Sequence, residues 1–454
     1  MFRKWSARDR ESYGQMLTLI IPIVVQNLFN AAISSADVVM LNSVGQSHIS
    51  AVSLAVQYSN LLHMLHFGLG SGLSMLCAQY WGKGDLKAIE KIQGIALRFV
   101  ASASFVMAVL ALCIPDLMMT VYTDDPELIT IGASYIRIMS VGYLCWGFSE
   151  IYLAVLRSVE KVKISTMLNI SALSLNIFLN ATFIYGWFGM PKMGAAGVAL
   201  ATTISRSVQL IACFAVSGMQ KDVKFKPVAI LWKPGILMKD FLKLSVPALA
   251  NDMVWGLAFS TYSIIMGHMG SDVVAANSIV EVVRSLGTTF CYALSSASAI
   301  YLGKWIGANQ LERAREDSRR VLKLTVTAGV IGGLVVLGLS PFVLWFADLS
   351  DTAMGYLKIM LFINSYYIMG ISVNSVLTCG VFRAGGDSRF GLVCDGINMW
   401  CYAVPLGFLN AFVFKLPPMV VYFFLFTDEF TKMPFALRHY RKGKWLKNIT
   451  RDEI

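Results

Sequence analysis

Twelve predominantly apolar stretches, each long enough to cross a bilayer, constrain this chain more than any other feature. A membrane helix needs about 20 such residues, and the stretches fall at 16–41, 52–79, 95–115, 129–156, 165–188, 193–217, 241–267, 275–302, 322–347, 353–380, 391–414 and 417–437. Lipid offers no hydrogen bonds to backbone, so each span must satisfy its own N–H and C=O groups as a helix. The expected fold is all-α: a polytopic membrane protein of twelve transmembrane helices. Only 14% of the residues are charged, against roughly 25% in soluble domains. That excludes soluble enzymes, disulfide scaffolds and nucleic-acid-binding modules, whose surfaces need charge. The polar start MFRKWSARDRESYGQ and the long run after it do not fit a cleaved signal peptide, so the first span is expected to be retained.

The net charge of +11 is distributed by side rather than clustered on a nucleic-acid face. With an even span count, one set of loops carries nearly all the basic residues. The opposite loops hold only Lys192 and Lys415 of the 38, alongside several acids. The positive-inside rule then puts both termini in the cytoplasm, and the expected location is the plasma (bacterial inner) membrane. The eight cysteines lie in apolar stretches without a CxxC pair, which reads as buried thiols rather than a metal site.

A repeat divides the chain. Leu17–Pro22 lies over Leu242–Pro247, Gly45 over Gly270, Gly82 over Gly307 and Leu86 over Leu311, an offset of 225; Leu156-Arg157-Ser158 lies over Phe382-Arg383-Ala384 at 226. Six spans are an even number, so the two six-helix bundles are parallel repeats. The expected domains are 1–217, a linker 218–240, and 241–454. Paired bundles of this kind suit alternating access, although duplication also builds channels.

Polar side chains inside spans are functional candidates by default. Asn27, Asn30, Ser34 and Asp37 form one stripe on the first span, and the repeat converts it to Asp252, Trp255, Phe259 and Tyr262 on the seventh. Asn364, Tyr367, Asn374 and Thr378 line the tenth; Tyr143, Trp146, Glu150 and Arg157 line the fourth. A midplane carboxylate among rings suits an organic cation, so Asp252, Trp255, Phe259, Tyr262, Tyr367 and Asn374 are the expected substrate contacts. The bland alternative for each is helix packing. Glu281 and Arg284 are spaced to neutralise each other. His63 and His66 read as packing or pore-lining residues, and Arg206 needs an acceptor that the sequence does not name.

The chain resembles the multidrug and toxic compound extrusion (MATE) family of cation-coupled antiporters from Ser12 to about Arg438. The resemblance is carried by Pro22, Asp37 and Val44-Gly45, by Gln79-Tyr80-Trp81-Gly82-Lys83-Gly84-Asp85, and by Phe382-Arg383-Ala384-Gly385-Gly386-Asp387-Ser388-Arg389. It implies a coupling-cation site at Asp37, Asn176, Asn180 and Thr202, taking H⁺ or Na⁺, with no other cofactor. It also implies a first helix that bends at Pro22. Many members carry a second aspartate where Asn180 stands, and Asp252 occupies a position where glutamate is common. The tenth-span acid of some members is absent from Gly370-Ile371-Ser372-Val373-Asn374. The expected protein is a monomeric exporter of small, cationic, aromatic compounds, in contact with membrane lipid and not with nucleic acid. The alternatives are a flippase for a lipid-linked amphiphile, a channel and, from another class, a membrane-embedded enzyme, for which HExxH, GxSxG and GxxxxGK[ST] are all missing.

Overall fold

Long helices dominate because the apolar stretches hold few backbone interruptions, and where the chain turns it does so at residues that tolerate a left-handed backbone. The computed structural model describes residues 7–42, 44–233, 235–347 and 349–452, without the side chains of 7, 8, 31, 32, 34–39 and 42. The helices are α1 (Ala7–Asn42), α2 (Gln46–Lys83), α3 (Leu86–Cys113), α4 (Pro126–Ser158), α5 (Val162–Tyr185) and α6 (Gly194–Met219). They are followed by α7 (Leu237–Gly267), α8 (Ser271–Gly307), α9 (Leu311–Phe346), α10 (Asp351–Phe382) and α11 (Ser388–Val413). The last span is broken into α12 (Pro418–Leu425) and α13 (Asp428–Lys442). No strand occurs among the described residues.

Nine helices are long and apolar enough to cross a membrane by length and composition among the described residues. The three spans outside that group are α7, α8 and the broken α12–α13. They carry Asp252, the Glu281 and Arg284 pair, and Asp428, Glu429 and Lys432, and the last span is in addition broken into two short helices.

The repeat is written into the backbone. Gly45 and Gly270, which precede α2 and α8, have φ of 130° and 122°, a region that side-chain-bearing residues rarely enter. Gly84 and Asn309 close α2 and α8 in the left-handed conformation, with φ of 81° and 57°. Glu160 and Gly386 do the same after α4 and α10, with φ of 62° and 74°. The offsets match those of the sequence, and one partner of each left-handed pair has a side chain. The constraint therefore belongs to the fold rather than to glycine alone.

The chain forms two compact units, one of Met1–Val24 with Val246–Thr450 and the other of Val25–Ser245 with Arg451–Ile454. These are the two sequence halves with the first stretches of α1 and α7 exchanged. In the carboxyl-terminal unit the start of α1 is pinned to α9: Ser12 donates to the fully buried Asp317 at 3.1 Å, and Arg320 pairs with Asp9 at 2.7 Å. Tyr301 donates to the other Asp317 oxygen at 2.8 Å. In the amino-terminal unit the start of α7 packs on α3 through stacked Phe99 and Phe241 rings, centroids 6.0 Å apart. Both crossings lie beside a repeat-related proline, Pro22 and Pro247.

Within each unit one helix is central. α4 packs against α2, α3 and α6, and its repeat mate α10 packs against α8, α9 and α13. The polar stripe of α10, Asn364, Tyr367, Asn374 and Thr378, is buried throughout, whereas on α4 only Tyr143 is.

Candidate functional site

In the amino-terminal unit α5 and α6 bring three of the four expected coupling residues together. Asn180 donates to the Asn176 carbonyl oxygen at 3.4 Å, Asn176 donates to the Thr202 hydroxyl at 3.1 Å, and Thr202 donates to the Val198 carbonyl at 2.9 Å. The donors all run one way, from Asn180 toward the Val198 carbonyl. Asp37 falls on α1, but its side chain lies outside the described residues, as does that of Ser34. Of the α1 stripe Asn30 meets α5, accepting from Asn169 at 3.4 Å, and Gln26 beside the stripe accepts from Thr166 at 3.4 Å.

A second relay runs from the cation whose partner the sequence does not name. Arg206 on α6 donates to Gln209 at 3.1 Å, Gln209 donates to Asn169 at 3.1 Å, and Asn169 reaches Asn30. The Arg206 guanidinium also sits 4.8 Å from the Trp146 ring centroid. His63 stacks on that indole at 5.5 Å, while His66 meets it edge-on and bonds Ser104 at 3.0 Å. The histidines thus pack against a tryptophan on α4. Glu150, one turn further, is held by Arg157 at 2.8 Å. Gln209 and Asn169, which carry this connection, are not among the expected site residues, although Asn169 stands seven residues before Asn176 on α5 and Gln209 seven after Thr202 on α6, a helical spacing that could have found them.

In the carboxyl-terminal unit the α7 stripe is assembled as an aromatic stack. Trp255 and Phe259 have centroids 4.3 Å apart, Phe259 and Tyr262 5.3 Å, and Phe426 at the α12–α13 break meets Tyr262 at 6.0 Å and Tyr367 at 4.8 Å. A cation already lies on this stack: the Arg284 guanidinium is 5.2 Å from Phe259 and 5.3 Å from Phe426. Glu281 approaches Arg284 at 3.7 Å, the neutralising pair that their spacing implies. Asp252 is paired as well, to Arg383 at 2.9 Å, with its second oxygen buried and unbonded. The tenth-span residues turn toward the last span: Asn364 donates to Tyr422 at 2.7 Å, and Asn374 to the Glu429 carboxylate at 2.8 Å.

That last contact leads to the largest group absent from the sequence expectations. Asp395 on α11 and Asp428, Glu429 and Lys432 on α13 are all at most 5% exposed. The Lys432 ammonium lies 2.9 Å from Asp395 and 2.7 Å from Glu429. The signal is legible in Phe426-Thr427-Asp428-Glu429-Phe430-Thr431-Lys432, three charges within an apolar stretch. Their closeness to the basic tail disguises them as the approach to a loop. Asp395 has no such local pattern, and only the packing of α11 on α13 pairs it.

Two parallel-repeat units of membrane-spanning helices, each enclosing polar and charged side chains, define a polytopic membrane transporter. A family model described as MatE matches residues 22–182 and 247–409, one segment in each half, and the chain belongs to that family of multidrug efflux transporters. The transporter YisQ of Bacillus subtilis, described as uncharacterized, is 20% identical over 95% of each chain. A probable multidrug resistance protein NorM of Thermotoga maritima is 22% identical over all of this chain and 98% of its own. Among solved structures, an outward-facing multidrug resistance MATE family transporter of the MOP superfamily superposes with a TM-score of 0.84 at 17% identity, covering 95% and 96% of the two chains. A MOP superfamily transporter from Pyrococcus furiosus, whose structure is described as having a binding pocket of reverse polarity, gives 0.83 at 17% identity over 94% and 95%. These relatives are transporters, not enzymes.

Proposed function

We propose that the chain is a secondary active antiporter that exports small organic, cationic and aromatic compounds in exchange for H⁺ or Na⁺ by alternating access. The observation that carries the coupling side of this reading is the one-way relay Asn180, Asn176 and Thr202 in the amino-terminal unit. It gathers amide and hydroxyl groups of the kind a carboxylate such as Asp37 needs beside it to accept a proton or a sodium ion. Pro22 supports a moving first helix, because the chain passes from one unit to the other within one turn of it and a proline weakens the helical ladder there.

On the substrate side, the stack of Trp255, Phe259 and Tyr262 already receives the Arg284 guanidinium, so its ring faces are competent for a planar organic cation. Tyr367 and Asn374 border the same region, and a substrate cation would share Asp252 with Arg383. We place both termini in the cytoplasm and the protein in the bacterial inner membrane as a monomer in contact with lipid, on the charge asymmetry of the loops.

The test is export of a fluorescent aromatic cation from proteoliposomes under an imposed proton or sodium gradient. One gradient should drive flux, and Asp37→Asn should abolish it. Full gradient-driven activity in Asp37→Asn overturns the assignment of the coupling site. Flux with no gradient dependence overturns antiport and favours the flippase.

A further inference from the structure

The buried charges of the carboxyl-terminal unit do not balance. One ammonium, that of Lys432, serves two carboxylates, Asp395 and Glu429. Asp428 adds a third. It is fully buried, and among the described residues no cation is paired with it, Lys432 lying against the other two acids.

The groups around Asp428 are equally unspent. Tyr262 of α7 and Tyr367 of α10 act on it electrostatically; the Tyr262 hydroxyl is placed to hydrogen-bond it, and that of Tyr367 is buried without a hydrogen bond. Asn374 of α10 gives its amide to Glu429 and leaves its own oxygen unbonded. The Cys394 thiol of α11 lies by Asp395, Lys432 and Glu429, Tyr292 of α8 by Glu429, and Arg284 of α8 by Tyr292 and Tyr367. Arg284 is committed to the ring faces of Phe259 and Phe426, so Lys432 is the cation in contact with the acids.

We propose that Asp428 is a proton-binding residue, with Lys432 as the fixed counter-ion of its two acidic neighbours. An ionised carboxylate without a counter-ion in a dry site is strongly disfavoured, whereas the neutral acid needs none and brings a donor of its own. On uptake one O–H bond forms at Asp428 as one breaks in a hydronium ion, which leaves as water. Its hydroxyl then has acceptors in the unbonded oxygens of its neighbours, and its carbonyl oxygen can accept from a tyrosine. On release the carboxylate competes for the Lys432 ammonium, which loosens Asp395 on α11 and Glu429 beneath Asn374 on α10. A metal ion fits this place less well. The ammonium already occupies the carboxylates, and no group of three acidic, histidine or cysteine ligands with metal geometry exists among the described residues.

The presence of this proton does not depend on the antiport reading; its use as a second coupled proton does. Infrared difference spectra of the full chain in lipid nanodiscs, taken through a pH step in H₂O and in D₂O, test its presence. A protonated-carboxyl band that shifts in D₂O, is missing from Asp428→Asn, moves in Asp428→Glu and survives in Asp37→Asn supports the assignment. An Asp428→Asn spectrum identical to that of the natural chain overturns it. Should Asp428→Asn fail to fold, a band that does not move in Asp428→Glu is equally decisive against it. In proteoliposomes, flux without gradient dependence beside an intact Asp428 band removes antiport and leaves the proton site standing.

Discussion

The carboxylate of Asp252 lies 2.9 Å from the guanidinium of Arg383, with the two side chains 19% and 6% exposed. The acid nearest the middle of α7 is therefore tied to the arginine that follows α10, 131 positions away in the chain. A cation arriving at Asp252 meets a neutralised group and must displace or share its partner. Organic cations would then gain more from the rings of Trp255 and Phe259 than from the charge.

Removing one member of this pair should cost more than removing both. Arg383→Gln leaves a buried carboxylate uncompensated and should destabilise the chain by about 3 kcal/mol, whereas the double variant Asp252→Asn with Arg383→Gln should recover much of the loss. Thermal unfolding in detergent of the two single variants and the double variant measures the coupling. Additive losses would show that the pair is not an interacting unit.

The hydroxyl of Thr202 should matter beyond its volume. Thr202→Val keeps the shape but removes the acceptor of the Asn176 amide, leaving that group buried and unbonded at a cost of about 1–3 kcal/mol. Gradient-driven export should fall while Thr202→Ser retains it. Equal export in the valine and serine variants would take Thr202 out of the coupling group.

Gly45 and Gly270 should resist substitution for a backbone reason alone. A Cβ at either position meets nothing within 4 Å, yet φ is 130° and 122°. Alanine at either site should therefore destabilise by about 1–3 kcal/mol through strain without overpacking. Asn309→Gly, at a left-handed position, should be neutral or mildly stabilising. Unfolding midpoints compared across these three variants check the argument, and an Asn309→Gly loss larger than the Gly45→Ala loss would contradict it.

The carboxyl-terminal tail is docked by charge on the amino-terminal unit. Arg451 grips Asp240 through two nitrogens at 2.6 and 2.8 Å, and Lys83 reaches Asp452 at 2.8 Å. Lys83 holds the Asp452 carboxyl below its usual value. A depressed acid stabilises above its unfolded value and loses that contribution as pH falls through its folded one. Tail docking should thus be constant through neutral pH and weaken below about pH 4. Limited proteolysis of the tail against pH reads this. Asp240→Asn should raise cleavage at neutral pH, and unchanged cleavage in that variant would rule out the docking contact.

The sequence determined the number and length of the spans, the parallel repeat and the polar faces, because each follows from local periodicity and from the refusal of lipid to solvate backbone and charge. It reached Asn176, Asn180 and Thr202 through the family resemblance, and the neutralising pair Glu281 and Arg284 by spacing. Only the tertiary structure decided which charges meet. Asp252 with Arg383, Arg206 with the Trp146 ring and Asp395 with Lys432 join different helices, and the rotation of one packed helix against another sets such pairs without leaving a pattern along the chain. The same holds for the exchange of the first stretches of α1 and α7, and for Asp428. Three charges can be read in its segment, but that one ammonium serves two of the acids and leaves the third unpaired depends on how α10, α11 and α13 close around it.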